Sequence, residues 1–326
     1  MGAFVGGVWH RGDQPPTTTA GRFDRQPSRF RDRLSADGTT PFKAEAGRYH
    51  LYVSLGCPWA HRTVLYRALK RLDALVSMSV LDPIIGEDGW AFSDYRGCGP
   101  DPLYGAKTLG EIYLRAKRDY TGRVTVPVLW DKRTATIVNN ESAEIIRMFN
   151  DAFVAIAPPS PDLCPPRHRA EIDALNQAIY DGVNNGVYRC GFATTQAAYD
   201  EAFATLFATL DDLERRLDRQ RYLVGDAPSE ADWRLFTTLI RFDAVYHYHF
   251  KCNLRRIADY PALSGYLRDL YQVPGVAATV DLDHIKRNYY LGMKRLNPSG
   301  IIPTGPALDF AKPHDRARLT AAAAAR

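Results

Sequence analysis

Long apolar runs are missing from this sequence. No stretch approaches the roughly 20 consecutive apolar residues that a membrane-spanning helix needs, and the first residues, MGAFVGGVWHRGDQ, lack the apolar core of a secretory signal. We therefore expect no membrane segment and a cytoplasmic location. The composition also excludes a disordered chain, because 45% of the residues are apolar and 11% are aromatic. A chain of 326 residues is long enough for two packed domains.

Paired cysteines and a basic stripe are lacking as well. The five cysteines are odd in number and irregularly spaced, so we expect no disulfide framework and at least one reduced thiol. The net charge is only +5 and the arginines are scattered among acids, which gives nucleic-acid binding little support. A small anionic ligand remains compatible with this charge.

The first half of the chain has the pattern of an α/β domain, which we expect to span residues 46–156. Residues 1–45 show no sustained period and are interpreted as an extended arm. A strand from Arg48 to Leu55 is followed by a turn, a helix and a second strand. After an insertion at about residues 83–122, two short strands and a helix beginning at Glu141 follow. The order is therefore β-α-β, insertion, β-β-α, which is thioredoxin-like.

The second half of the chain changes to long helices. The expected segments are a proline-rich linker at residues 157–166, an all-α domain over 167–293 and a covering tail over 294–326. Between Gln196 and Gln220, apolar residues recur every three or four positions, which predicts one long helix with a buried face. The next helix should begin after Ser229, which can form a capping box with Asp232.

One cysteine stands where reactivity is favoured. In SLGCPWAHR, Cys57 follows a strand and precedes Pro58, a residue typical of a helix start. Backbone amides and the helix dipole at such a position stabilise a thiolate and lower the pKa of a cysteine below about 8.5. The alternative is a buried structural cysteine. Ala60 replaces the second cysteine of a Cys-X-X-Cys pair, so a mixed disulfide on Cys57 would need an external thiol to cleave it. His61 and Arg62 could add positive charge, but we expect them to point to solvent.

Several sequence blocks, taken in order, are similar to one family. Cys57-Pro58-Trp59-Ala60, Val126-Pro127 and Asn140-Glu141-Ser142 resemble motifs of the glutathionyl-hydroquinone reductases, the xi class of glutathione transferases. The likeness continues through GRFDRQPSRFRD, GWAF, NNGVYRCGF, RFDAVYHYHFKCN and DHIKRNYY. The resemblance implies the glutathione transferase fold, with a thioredoxin-like α/β N-terminal domain and an all-α C-terminal domain.

The resemblance also implies a glutathione site in the first domain. A cis Val126-Pro127 bond would let Val126 pair with the cysteinyl backbone of glutathione. Glu141 and Ser142 would hold its γ-glutamyl amine and carboxylate at a helix N-terminus. Trp90 and Arg123 would contact its backbone and glycyl carboxylate. The alternatives are an ordinary trans proline, helix capping by Glu141 and Ser142, a solvated Arg123 and a packing Trp90.

For the second substrate, the resemblance implies an aromatic pocket in the helical domain. Tyrosine supplies both a flat apolar wall and a phenolic donor. Tyr188, Tyr246 and Tyr289 are implied to surround the hydroquinone, and Tyr188 and Tyr289 to stabilise or protonate it as it leaves. Burial in the core is the alternative for each tyrosine, and Tyr290 competes with Tyr289 for the role. We expect Cys190 to play no part in turnover.

The implied activity is glutathione-dependent reduction of glutathionyl-hydroquinones through a Cys57-glutathione mixed disulfide, with oxidised glutathione as the second product. Glutathione is then a co-substrate, no metal is expected, and the superfamily implies a homodimer. One alternative is an omega-like thioltransferase or dehydroascorbate reductase that uses the same cysteine. Another is a non-catalytic binding module on the same fold. A conjugating transferase fits less well, because such enzymes activate glutathione with Ser or Tyr.

Overall fold

The structure is a computed structural model that describes residues 2–12 and 17–324. Parts of the predicted arm and tail, at residues 1, 13–16, 325 and 326, lie outside the described residues. The strands are β1 (Ala3–Val5), β2 (Val8–His10), β3 (Leu34–Ser35), β4 (Phe42–Lys43), β5 (Tyr49–Val53), β6 (Val76–Val80), β7 (Gly122–Arg123), β8 (Val128–Asp131) and β9 (Thr136–Asn139). The helices are α1 (Pro58–Leu69), α2 (Leu109–Ala116), α3 (Ser142–Asp151), α4 (Arg169–Ile179), α5 (Gly186–Phe192), α6 (Gln196–Arg219), α7 (Glu230–Arg241), α8 (His247–His249), α9 (Pro261–Tyr271), α10 (Leu282–Tyr290) and α11 (Ala317–Ala324).

The chain forms two compact units, each assembled from separated segments. The first holds the described residues of Met1–Gln14, Gln26–Asp162 and Thr279–Ile302. The second holds those of Pro15–Arg25, Leu163–Ala278 and Pro303–Arg326. Among the described helices, none is long and apolar enough to cross a membrane.

A four-stranded sheet of order β6-β5-β8-β9 lies at the centre of the first unit. Strand β5 pairs in parallel with β6 and antiparallel with β8. All five of its residues, YHLYV, are buried, which suits a central strand covered on both faces. Helices α1 and α3 pack against each other. The order β5-α1-β6, insertion, β8-β9-α3 is the predicted thioredoxin-like order. A short turn of residues 54–57 therefore connects the end of β5 to the start of α1.

The N-terminal segment is more ordered than the sequence indicated. Strands β1 and β2 form a hairpin, and β1 also pairs with β7. The turn consists of Gly6 and Gly7, which have φ values of 55° and 82°, a backbone region that glycine adopts without strain. Phe4 anchors the hairpin, because it is buried with its ring centroid 5.0 Å from that of Trp9. The Gly-Gly pair between two apolar stretches was the available hairpin signal.

The second unit is helical, as predicted. Helix α6 ends within one residue of its expected bounds and buries a face that includes Leu206, Leu210 and Leu213. The Ser229 capping box is confirmed, with the Asp232 carboxylate accepting hydrogen bonds from the Ser229 amide and hydroxyl at 2.7 Å each. Two helices carry π-helical segments, at Tyr180–Asn184 and Phe242–Tyr246.

Helix α10 belongs to the first unit, whereas the sequence analysis placed residues up to 293 with the helical domain. The reason is packing at long sequence separation. The side-chain amide of Asn288 donates to the carbonyl oxygen of Pro83 at 2.8 Å. A ring nitrogen of His284 lies 2.6 Å from the carbonyl oxygen of Arg96. Tyr95 donates to the Asp283 carboxylate at 2.5 Å. The insertion thus fastens α10 to the first unit.

Candidate active site

Cys57 occupies the junction between β5 and α1. It is the N-cap of α1, with an extended backbone, and Pro58 is the first helical residue, as predicted. The side chain is half-buried, and its Sγ lies 3.9 Å from the carbonyl oxygen of Val126. Unpaired amides and the positive end of a helix dipole gather at such a position and favour a thiolate over a thiol. The junction therefore presents a sulfur atom suited to nucleophilic attack.

The other four cysteines have different surroundings. Cys164, Cys190 and Cys252 are buried, and burial raises the pKa of the half-buried Cys98 thiol to about 11. Within the described residues, none of the five cysteines forms a disulfide. A thiol with a raised pKa is a poor nucleophile near neutral pH, so Cys57 remains the candidate nucleophile.

The segment facing Cys57 carries the predicted proline. The Val126-Pro127 peptide bond is cis, which confirms that expectation. Val126 is buried, and β8 begins directly after Pro127. The structure thus brings Cys57 and the Val126 backbone together. Arg123 lies shortly before them on β7, where its carbonyl oxygen accepts a hydrogen bond from the Tyr120 hydroxyl at 2.9 Å.

The N-terminus of α3 carries the two residues predicted to hold the γ-glutamyl group. Glu141 is the N-cap, and its carboxylate accepts from the Ala143 amide at 3.2 Å and from the Ser28 hydroxyl at 3.0 Å. Ser142 is the first helical residue and is buried. Its Oγ accepts a hydrogen bond from Arg62 Nη1 at 3.4 Å. Glu141 therefore caps α3, as the capping alternative predicts.

Trp90 lies in the insertion and packs against the protein. Its side chain is buried, and its carbonyl oxygen accepts from the Leu109 amide at 2.8 Å, at the start of α2. Trp90 therefore packs within the protein, as the packing alternative predicts.

Helix α10 packs against the turn before Cys57, so its tyrosines belong to the first unit and not to the helical one as expected. A Cβ at Gly56 would lie 2.8 Å from Asn288 Cγ and closer still to Asn288 Cβ. Glycine is therefore required here by close approach. Tyr289 and Tyr290 follow Asn288 and are exposed by only 0% and 1%, so burial does not distinguish between them.

Tyr188 and Tyr246 meet in the second unit. Their ring centroids lie 6.1 Å apart, and each ring lies 5.4 Å from that of Phe250. The Arg25 guanidinium lies 4.8 Å from the centroid of the Tyr188 ring. Tyr246 is fully buried and ends a π-helical segment, whereas Tyr188 is 7% exposed. Such segments occur often at functional sites, and this one orients Tyr246 within an aromatic cluster.

Comparison with known proteins identifies the family. The models for "Glutathione S-transferase, N-terminal domain" and "Glutathione S-transferase, C-terminal domain" match residues 56–152 and 196–269. The chain is 53% identical to glutathionyl-hydroquinone reductase YqjG of Escherichia coli, over 97% of this chain and 98% of that protein. It is 50% identical to glutathionyl-hydroquinone reductase PcpF of Sphingobium chlorophenolicum, over 94% and 97% of the two chains.

Solved structures of glutathione transferases are similar to this chain over nearly its whole length. The glutathione-bound structure of the Escherichia coli protein superposes with a TM-score of 0.90, at 51% identity over 97% of this chain and 99% of that one. A xi-class glutathione transferase from Natrialba magadii superposes with a TM-score of 0.92, at 48% identity over 98% and 97%. The chain belongs to the xi class of glutathione transferases, the glutathionyl-hydroquinone reductase family. The predicted fold class is thereby confirmed.

Two predictions about this xi-class transferase were wrong. His61 and Arg62 were expected to point to solvent, but both side chains are about 1% exposed. A ring nitrogen of His61 lies 2.8 Å from Thr279 Oγ1, and the Arg62 guanidinium lies 4.6 Å from the centroid of the Trp59 ring. The available signal was spacing, because positions 58, 61, 62 and 65 form one inward stripe of a helix.

Sequence reasoning missed Ser28, and it named Asn140 in a motif without a role, although both residues support the N-terminus of α3. Ser28 reaches the Glu141 carboxylate, and the Asn140 side chain accepts from the Phe30 amide at 3.1 Å. Asn140 also donates to the Tyr113 hydroxyl at 3.0 Å. Ser28 lies in the GRFDRQPSRFRD block, so the resemblance marked the segment without indicating its contact.

Proposed function

We propose that this chain is a glutathionyl-hydroquinone reductase, which uses glutathione to convert glutathionyl-hydroquinones to hydroquinones. The observation that carries the proposal is the position of Cys57. It caps α1 beside the Val126 carbonyl, in a chain 53% identical to a glutathionyl-hydroquinone reductase.

In the first step, the Cys57 thiolate attacks the sulfur of the glutathionyl group. The sulfur–sulfur bond of a mixed disulfide forms as the bond from sulfur to the aromatic carbon breaks. The aromatic carbon keeps the electron pair and takes up a proton, so the aromatic product is reduced and the two sulfur atoms are oxidised. We assign Tyr188 and Tyr289 to stabilising or protonating this product, and Tyr246 to binding it. The meeting of the Tyr188 and Tyr246 rings supports the first and third roles.

The role of Tyr289 has separate support. Asn288, the residue before it, packs against Gly56, and Gly56 immediately precedes Cys57. Helix α10 therefore lies close to the nucleophile within one unit. Tyr290 is the competing choice, because the two tyrosines are equally buried.

In the second step, the thiolate of a second glutathione attacks the mixed disulfide. This gives oxidised glutathione and restores the Cys57 thiolate, so glutathione is a co-substrate. Ala60 supports an external thiol, because a Cys-X-X-Cys pair is absent from the sequence at this position.

For glutathione itself, we propose backbone pairing at Val126. Because the Val126 carbonyl lies 3.9 Å from Cys57 Sγ, a peptide paired with Val126 would hold its own cysteine near the nucleophile. Glu141 and Ser142 would take the γ-glutamyl amine and carboxylate, which the helix N-terminus supports. We assign contacts with the glutathione backbone and the glycyl carboxylate to Trp90 and Arg123, following the family resemblance.

The test is a steady-state assay with a glutathionyl-hydroquinone and excess glutathione. Wild-type protein should release hydroquinone and oxidised glutathione, and Cys57→Ser should release neither. Cys98→Ser is the matched control and should retain activity. A wild type that is inert here but reduces dehydroascorbate or a small mixed disulfide would support the omega-like alternative. Inactivity in all these assays would favour a non-catalytic binding module.

Assembly, location and metal independence remain predictions. We propose a cytoplasmic homodimer that needs no metal, following the superfamily. Light scattering of the purified protein measures the assembly state, and the assay after treatment with a chelator measures the need for a metal.

A further inference from the structure

A buried cation lies beneath the predicted γ-glutamyl site. Arg62, on α1, is 1% exposed, and its Nη1 lies 3.4 Å from Ser142 Oγ at the head of α3. The guanidinium also lies 4.6 Å from the centroid of the Trp59 ring. The packing of α1 against α3 thus brings a positive side chain to a helix N-terminus.

This arrangement favours a bound anion. Burying a charge carries a large desolvation penalty, and the N-terminus of a helix already has positive potential. Two sources of positive potential at one point are stabilised by a bound carboxylate. The hydrogen bond from Arg62 also sets the role of the Ser142 hydroxyl. Because its oxygen accepts from Arg62, its proton remains available to donate to a ligand.

We infer that Arg62 is a positioning residue for the γ-glutamyl α-carboxylate of glutathione. It orients the Ser142 hydroxyl toward that carboxylate and adds positive charge behind it. This inference rests on the proposed function, because it assumes that glutathione binds at the head of α3.

The test compares two ligands. One is glutathione, and the other is γ-aminobutyryl-cysteinyl-glycine, which keeps the amine and the thiol but lacks the α-carboxylate. Their dissociation constants are measured by calorimetry on the full chain, with Cys57→Ser in every protein so that no mixed disulfide forms. The proteins carry Arg62 unchanged, Arg62→Gln, Arg62→Lys or Arg115→Gln. Arg115 is the matched control, because its guanidinium also stacks on an aromatic ring, that of Tyr104, at 4.1 Å.

Arg62→Gln should weaken glutathione binding by about 10- to 100-fold, the range for a lost charged hydrogen bond. The dissociation constant of the analogue should stay within about twofold of its value in the parent protein, so that the variant binds the two ligands with similar affinity. Arg62→Lys should restore part of the preference for glutathione, and it replaces Arg62→Gln if that variant does not fold. Arg115→Gln should behave as the parent protein.

An equal loss for both ligands would overturn the inference and leave the proposed function standing, since Arg62 would then only support the fold. An unchanged preference in both Arg62 variants would also overturn it. Failure of the parent protein to bind either ligand would contradict the proposed function and the inference with it.

Discussion

Cys57 differs from the other cysteines of the chain in its place in the fold. It stands at the first turn of a helix, whereas Cys98 is held by a 3.3 Å contact from its sulfur to the Leu81 carbonyl oxygen, and burial raises its pKa. The sequence predicted this difference because Gly56-Cys57-Pro58 is a local signal for a turn into a helix. The neighbouring Val126 carbonyl, 69 residues away along the chain, had no local signal.

His50 gives a residue-scale prediction about pH. It lies on the central strand β5, and its two ring nitrogens lie 2.8 Å and 2.9 Å from the hydroxyl oxygens of Ser77 and Ser79. Burial lowers its pKa to about 4. In the unfolded chain a histidine titrates near pH 6.5. Between these values the unfolded state binds more protons, so the free energy of unfolding should fall as the pH falls from about 6.5 to about 4.

The His50 contribution is on the order of 3 kcal/mol across that range. Urea unfolding at a series of pH values, on wild type and His50→Gln, isolates it, because glutamine keeps hydrogen-bonding capacity without titrating. The variant should lose less stability on acidification than the wild type. Parallel pH profiles for the two proteins would show that His50 does not cause the loss.

At the scale of elements, the contact between α10 and the β5-α1 turn is the feature most sensitive to a small change. Gly56→Ala adds a Cβ that overlaps Asn288, so either α10 or the turn must shift. We expect the rate of hydroquinone release to fall by about 100-fold, since a shift near 1 Å at a reacting centre has that effect. Gly99→Ala is the control, because nothing lies within 4 Å of its Cβ. Equal rates for both variants would mean that α10 does not position the site.

A second element-scale prediction concerns the end of α6. The buried Arg316 guanidinium donates to the carbonyl oxygens of Leu217, Gln220 and Arg221 at 2.6 to 2.7 Å. These groups lack partners within the helix. Arg316→Ala should therefore lower the free energy of unfolding by about 2 kcal/mol or more in urea titrations.

The matched control for Arg316 is Arg318→Ala. Arg318 is exposed, and its side chain forms a surface ion pair with Asp315 at 2.9 Å. Its replacement should change stability by less than about 1 kcal/mol. Similar losses for the two variants would indicate that Arg316 is not specifically needed at the end of α6.

The elements whose sequence patterns involve only nearby residues were predicted correctly. The capping box at Ser229 and the long helix from Gln196 depend on side chains within a few residues of one another, and both are present. The inward direction of His61 and Arg62 was missed because it depends on what α1 packs against. In each such case the partner, Thr279 or Ser142, lies far along the chain.

At the scale of the whole molecule, the chain returns to each unit after leaving it. Residues 279–302 rejoin the first unit, and residues 17–25, with Arg25 stacked on Tyr188, belong to the second. Reading along the chain assigns consecutive residues to one domain, so it could not place α10 with the thioredoxin-like elements. The family resemblance supplied the fold and the candidate residues, but the structure was needed to group them.

The most direct test of the whole account is a single turnover without free glutathione. The protein is mixed with one equivalent of a glutathionyl-hydroquinone and its intact mass is measured, with peptide mapping to locate any change. We predict one equivalent of released hydroquinone and one glutathionyl group on Cys57, removed on addition of glutathione with formation of oxidised glutathione. Release of hydroquinone with no change in protein mass, or a glutathionyl group on another cysteine, would contradict the account.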